Sequence, residues 1–371
     1  MKKWLFLLLP VMVFFLFNCA APIVQVSYDI QGTVKKSDGT PVPNVTVVAG
    51  TKQTQTDASG KWSITGLTGN VTVSAQLQDY YIVVSGTAKQ TEQVSSQATI
   101  DFTAYSETED FGGGQGTSDD PYVIVTAQQL NNMRNYVDKH FRQIRDIDLD
   151  DLKIKVDPVE YNWTPVATDS TEAFTGSYDG MGFEIKNAVI GGKTDSDQYF
   201  GFFAYVTGAT IKNIILNNFQ VNYDASYSGI FAGCIESSVI ENIVIKNSSI
   251  TESSYIGGFT GYTSSSTITN CTIENTTVKA DPDNGGYYVG GFVADANATL
   301  FKNCLMRNVQ VHSANSSNMM GGFVASSNMS GFENCSFEGT IDATATYIGG
   351  FVGYAHWHED EPGKMTFDTF Q

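Results

Sequence analysis

Histidine and cysteine are scarce in this chain: four and five among 371 residues. That leaves little material for a metal site. Basic residues are also few. Lys and Arg total 21 against 39 Asp and Glu, giving a net charge of −18 and an isoelectric point near 4.5. This balance argues against nucleic acid or anionic lipid as the main partner, since both need a cationic surface. Only 16% of residues are charged, while Gly, Ser, Thr and Asn are plentiful. Such a composition suits a β-rich surface protein with many turns, not a disordered chain.

What the sequence does hold is a repeat. From Tyr199 onward one phrase recurs six times: Gly201-Phe202-Phe203, Gly229-Ile230-Phe231, Gly257-Gly258-Phe259, Gly290-Gly291-Phe292, Gly321-Gly322-Phe323 and Gly349-Gly350-Phe351. The closing Phe residues are 28, 28, 33, 31 and 28 positions apart. A second phrase follows: Ile211-Lys212-Asn213-Ile214, Ile240-Glu241-Asn242-Ile243, Ile268-Thr269-Asn270-Cys271, Phe301-Lys302-Asn303-Cys304 and Phe332-Glu333-Asn334-Cys335. A fixed period of this length predicts stacked units, none able to bury its apolar face alone. No catalytic signature interrupts it.

One turn is read as follows. Phe259, Ile268, Cys271, Ile273 and Val278 point inward. Asn270 and Asn275 turn corners, because Asn tolerates left-handed dihedrals and its amide can bond the same amide one turn away. The expected columns are Asn187, Asn213, Asn242, Asn270, Asn303, Asn334 and Asn218, Asn247, Asn275, Asn308, the second ending in Gly339. Cys271, Cys304 and Cys335 stack as small buried hydrophobes and are expected to stay thiols. Outward charges of mostly alternating sign stand before each Asn column: Lys186, Lys212, Glu241, Thr269, Lys302, Glu333 and Asn217, Lys246, Glu274, Arg307, Glu338. They are read as structural pairs that fix register.

The N-terminal third is different. Lys2 and Lys3 precede an apolar run from Trp4 to Phe17, a secretory signal pattern. Leu16-Phe17-Asn18-Cys19 resembles the lipobox of bacterial lipoproteins, with Asn18 where a smaller residue is usual. The resemblance implies removal of 1–18, acylation of Cys19, and a lipid anchor at the cell envelope, outer membrane or cell surface. Residues 19–27 read as a tether. Residues 28–104 alternate strands with turns at Gly39 and Gly60, and Trp62, Ile64 and Leu67 are candidate core. This segment resembles the carboxypeptidase regulatory-like, transthyretin-like β-sandwich family, which implies a spacer without catalysis. Related sandwiches form Lys–Asn isopeptide bonds, for which Lys35, Lys36 and Asn70 are present. Residues 105–119, with Gly112-Gly113-Gly114-Gln115-Gly116, read as a flexible linker.

Thr126 is a candidate N-cap for a helix over about 126–138, with Leu130, Met133 and Val137 on one face. Such a helix would cap the open end of a solenoid. The run from Pro121 to Ile190 and the repeats after it resemble GLUG-repeat proteins and related pectate-lyase-like β-helices of bacterial surfaces. The fold expected is therefore all-β: an N-terminal β-sandwich, then a right-handed parallel β-helix over 120–371 with an N-terminal capping helix.

One column is a candidate binding surface. Four residues before each core Phe stand Tyr199, Tyr227, Tyr255, Tyr288, Met319 and Tyr347. Facing outward, they would form an aromatic strip for a sugar or a protein; facing the rim, they would only cover the core. Insertions at 280–287 and 313–318 fall just before this column, on what is commonly the variable face of a solenoid. Two other clusters carry metal-binding residue types. Asp146, Asp148 and Asp150 would share a strand face and could hold Ca²⁺, or simply blunt an edge. His356, His358, Glu359 and Glu361 could bind a metal, or lie in an exposed loop. Neither is counted as a site, and no cofactor is expected. The functional expectation is a monomeric, lipid-anchored, non-catalytic adhesion module for a glycan or surface protein. The alternatives are a carbohydrate-active lyase or hydrolase, or a purely structural envelope protein.

Overall fold

The computed structural model describes residues 26–152, 161–191, 198–222, 225–252, 254–281 and 287–356. Cys19, the signal segment, and the stretch from Trp357 to the end lie outside them.

Period-2 patterning builds the N-terminal third. Tyr28–Lys36 alternates buried and exposed positions. It lies in a five-stranded sheet between Lys61–Leu67 and Phe102–Ser106, with Tyr80–Val84 at one edge and Ala98–Thr99 also paired to it. A four-stranded antiparallel sheet holds Lys52–Gln55, Thr46–Ala49, Val71–Gln76 and Thr91–Val94. One core joins them through Ile30, Val34, Val47, Trp62, Ile64, Leu67, Val73 and Phe102. Gly39 and Gly60 both adopt positive φ at turns. Lys36 pairs with Glu109 at 3.1 Å.

The segment expected to be a flexible linker is bonded throughout. Ser106 N–H donates to Gly112 O, Gly112 N–H to Val123 O, and Val123 N–H to Gly113 O. Phe111 is 6% exposed and stacks on Tyr122 at 4.3 Å, inside the solenoid core. Its glycines serve close approach rather than freedom: a Cβ on Gly114 would lie 2.0 Å from Pro121 O. Arg145 lies over the Tyr81 ring at 4.7 Å and pairs with Glu107 at 2.8 Å, adding a second tie between the halves.

Thr126 caps the helix as expected, its hydroxyl accepting from Gln129 N–H at 3.1 Å. The helix is shorter than its periodicity implied. Ala127–Asn132 is α-helical, Met133–Asn135 is 3₁₀, and the chain turns before strand His140–Gln143. Leu130 and Met133 are fully buried against the first turn of the solenoid. Gln129 is buried too: its amide accepts from Val125 N–H and donates to Ser106 O and Glu109 O, so the cap also holds the connecting segment.

The solenoid is parallel throughout its described turns. A long wrapped sheet carries most strands, and a six-stranded sheet carries Phe203–Thr207, Ala232–Glu236, Thr260–Ser264, Val293–Asn297, Val324–Asn328 and Val352–Ala355. Phe231, Phe259, Phe292, Phe323 and Phe351 form a ring stack with centroids 4.6–4.8 Å apart. That is the spacing of adjacent strands. Ile268, Cys271, Ile273 and Val278 are fully buried, as the reading of one turn required.

Both Asn columns exist, with every Asn at φ between 50° and 63°. Asn242 donates to Asn213, Asn270 to Asn242, Asn303 to Asn270 and Asn334 to Asn303 at 2.9–3.2 Å. Two assignments need correction. Gly339 pairs with Val309 rather than Asn308 across a register shift and is not left-handed, so the second column ends at Asn308. Lys186 is in register with Asn217, not Lys212, so Asn187 belongs under Asn218 and bonds it at 2.9 Å. Asp179 stands under Lys212 and supplies the oxygen for Asn213. The irregular first turn hid that shift.

A third left-handed corner was not foreseen. Gly208, Ser237, Ser265, Ala298 and Met329 occupy it with φ of 45–61°. Just after it, Ser238, Ser266, Thr299 and Ser330 donate hydroxyls to the carbonyl two residues back. Cys271, Cys304 and Cys335 do the same with their thiols at 3.3–3.5 Å after an Asn corner. All three are free, as is Cys234.

Candidate functional site: a tyrosine-lined corner

The Gly-Phe phrase joins a short strand to a longer one, as in Tyr255–Gly257 and Thr260–Ser264. The outer faces of these strands close on each other. A Cβ on Gly261 would lie 2.5 Å from Ser228 N, and one on Gly233 would lie 2.4 Å from Phe200 N. The floor position therefore takes only small residues: Ala204, Gly233, Gly261, Ala294, Ala325 and Gly353. The result is a re-entrant corner running along the solenoid.

The predicted tyrosines line one wall. Tyr199, Tyr227, Tyr255, Tyr288, Met319 and Tyr347 follow one another in strand register. The column faces outward and is half-buried, so it is neither core nor bare strip. Ring centroids are 5.5 Å apart for Tyr199–Tyr227, 4.5 Å for Tyr227–Tyr255 and 4.6 Å for Tyr255–Tyr288. Tyr199 and Tyr227 are stacked and Tyr227 and Tyr255 tilted, while Tyr255 and Tyr288 meet edge-to-face at 69°. Tyr347 is the most exposed tyrosine of the column, at 47%.

The opposite wall was missed. It consists of Tyr205, Cys234, Tyr262, Asp295, Ser326 and Tyr354, again in register. From Cys234 on, each stands three residues after its core Phe, so the position was readable. Its chemistry varies from turn to turn, which hid it. The walls touch where both are aromatic: Tyr199–Tyr205 at 4.9 Å, Tyr227–Tyr262 at 5.8 Å and Tyr347–Tyr354 at 5.2 Å. Between Tyr262 and Tyr354 the second wall changes from aromatic to polar, with Asp295 half-buried and Ser326 fully buried.

Electrostatics distinguish this polar stretch. Burial raises the Asp295 carboxyl pKa above its ordinary value, and a hydrogen bond from Ser326 and the charge of His356 only partly oppose that. Burial, with smaller effects from neighbouring phenols and Asp295, pushes Tyr255 up to about 12. Tyr227 and Tyr288 are raised by burial and then by Asp295. The Ser326 hydroxyl also meets His356 Nε2 at 3.1 Å. The order is Asp–Ser–His. A hydrolytic triad needs the imidazole between carboxylate and nucleophile, where the carboxylate can orient it. Here the carboxylate bonds the serine.

The other clusters do not converge. Asp146 accepts from Glu184 N–H, Asp148 pairs with Lys186 at 3.1 Å, and Asp150 has left the strand for a 3₁₀ turn. Among the described residues no group of three or more His, Cys, Asp or Glu is placed to hold a metal. His358, Glu359 and Glu361 lie outside those residues. The insertion at 313–318 is not an open loop but part of the long strand Leu305–Gly321, with a register shift between Ser313 and Ser317. Among the described residues no helix is long and apolar enough to cross a membrane.

The GLUG motif model matches residues 252–279, the turn that carries Tyr255 and Tyr262. The chain carries a GLUG motif. A "Putative Gly-rich membrane protein" of Evansella cellulosilytica is 33% identical over 119 residues, which cover 31% of this chain and 13% of that protein. Halomucin of Haloquadratum walsbyi is 27% identical over 162 residues, covering 42% of this chain and 2% of that protein. The chain thus spans a small fraction of these curated relatives. A solved structure described as "a putative immunoglobulin A1 protease from Bacteroides ovatus" superposes with a TM-score of 0.51 at 20% identity, over 66% of this chain and 77% of that one. At that identity the likeness is one of fold.

Proposed function

We propose that this is an envelope protein, lipid-anchored through Cys19 and displayed at the cell surface, whose solenoid binds a glycan or protein ligand without catalysis. The observation that carries the binding role is the corner: two facing columns, largely of tyrosine, held in register over six turns. Tyrosine offers wide amphipathic contact at small entropic cost. Repetition lets weak contacts add along one ligand. The sandwich acts as a spacer that lifts the rod from the membrane. The surface location is supported by the names of the two curated relatives, one a membrane protein and one a halomucin. The Asp295–Ser326–His356 order favours binding over hydrolysis. The test is incubation of the chain from Ala20 onward with immobilised polysaccharides and cell-surface proteins. Saturable retention without depolymerisation or cleavage is expected. Turnover of any member of the panel would overturn the non-catalytic reading, and retention of none would overturn the binding role.

A further inference from the structure

We propose that the cleft between the sandwich and the start of the solenoid binds a neutral hexopyranose, the end unit of a glycan. This site is separate from the tyrosine corner and does not depend on it. The cleft has a volume of about 430 Å³. Tyr80, Tyr81 and Gln90 line it from the sandwich, Glu107 from the join, and Arg145, Asp146 and Phe183 from the first turn of the solenoid. Space of that size suits a small ligand, and a boundary between two folded units is a common place for one. The polar groups are held in place by the fold itself. Arg145 lies over the Tyr81 ring at 4.7 Å, its Nη1 donates to Glu107 at 2.8 Å, and its carbonyl accepts from Gln143 Nε2 at 2.8 Å. Glu107 N–H donates to Asp79 O at 2.9 Å, and Asp146 Oδ1 accepts from Glu184 N–H at 2.8 Å. Groups fixed in this way lose little entropy on binding. Their mixture of charges selects the ligand. Arg145 donates, Glu107 and Asp146 accept, and the Gln90 amide does both. An anion would meet two carboxylates, and a cation would meet the guanidinium. A sugar hydroxyl donates and accepts without bringing a charge. Tyr80, Tyr81 and Phe183 are half-buried beside these groups. They offer apolar surface to the C–H face of a pyranose ring. A wholly apolar ligand would strip water from the charged groups and return nothing. One such unit binds weakly, because each polar group gives up water to receive it.

The test is saturation-transfer NMR of the full chain with the methyl glycosides of glucose, galactose and mannose, beside the anionic methyl glucuronide and the cationic methyl glucosaminide. At least one neutral glycoside should bind, and at least about fivefold more tightly than either charged sugar. Phe183→Ala and Arg145→Ala should each weaken that binding by at least about fivefold. Gln90→Ala should weaken it too; Gln90 is exposed, so its loss leaves the join intact. A circular-dichroism melt checks that each variant is folded. Binding of no neutral glycoside, equal or tighter binding of a charged sugar, or undiminished binding by folded Phe183→Ala and Gln90→Ala would each overturn the proposal. Joint replacement of Tyr227, Tyr255 and Tyr288 by Ser separates this site from the corner. That variant should bind the glycoside normally. If it loses the sugar while the cleft variants keep it, the sugar sits in the corner, the cleft proposal falls and the corner stands.

Discussion

At the residue scale, the solenoid works because each position in a turn has one physical job. Phe259 lies flat between Phe231 and Phe292, with centroids at 4.8 and 4.6 Å. Phe259→Ala is expected to cost about 3–5 kcal/mol, since its neighbours cannot collapse into the space. Ser264→Ala, on the half-buried end of the next strand, should cost under roughly 0.5 kcal/mol. Urea melts check the pair, and equal shifts would contradict an inward stack. Inward Phe and corner Asn were legible because the same chemistry recurs at each. The third corner was not, because Gly208, Ser237, Ser265, Ala298 and Met329 share only a dihedral angle. Asp295 was hidden likewise, among Cys, Tyr and Ser at one register position. Its raised pKa carries a stability consequence. The folded state binds the proton more tightly than the unfolded state, whose value is near 3.8. Stability therefore falls as pH rises from there through the folded value, and the full penalty persists at neutral pH. Asp295→Asn should melt higher than the native protein at pH 7, with the difference shrinking as pH is lowered through that window. A lower melt at pH 7 would mean that Asp295 is a structural group.

At the scale of elements, the join between sandwich and solenoid is where sequence reading went furthest wrong. Glycine density at 112–116 suggested freedom, since glycine is equally the residue of flexible chains and of tight approaches. Only the neighbours distinguish the two, and they are distant in sequence: Pro121 O beside Gly114, Tyr122 beside Gly116. Phe111, anchored under Tyr122 and Tyr136, was the available signal. The helix was legible at its start, where Thr126 is a capping residue. It was not legible at its end, where the chain must return to strand His140–Gln143 to begin the first turn. If the join is held as described, a nonspecific protease should spare 105–119 in the native protein. Phe111→Ala should speed cleavage there by at least about tenfold through local opening. Rapid cleavage of the native join would contradict this.

At the scale of the molecule, a capped, acidic rod carries one continuous corner. Its ladders of Lys246–Glu184, Lys302–Glu333 and Arg307–Glu274 pair charges at 2.9–3.0 Å across turns. Such exposed pairs are worth little individually and serve register. The architecture was legible from the period alone. The ligand was not, because a repeat specifies a backbone and leaves its outward positions free to vary. Anchoring is checked by Cys19→Ala, which should lose acylation and detergent-phase partition while melting like the native protein; unchanged partition would remove the lipid anchor.

The central claim is that the corner is the working face, and one measurement tests it most directly. Tyr227, Tyr255 and Tyr288 are replaced together by Ser, and retention on the panel of polysaccharides and surface proteins is compared with that of each single change, beside a thermal melt. The account predicts a folded triple variant whose retention falls far more than that of any single variant. A folded triple variant with normal retention would contradict it.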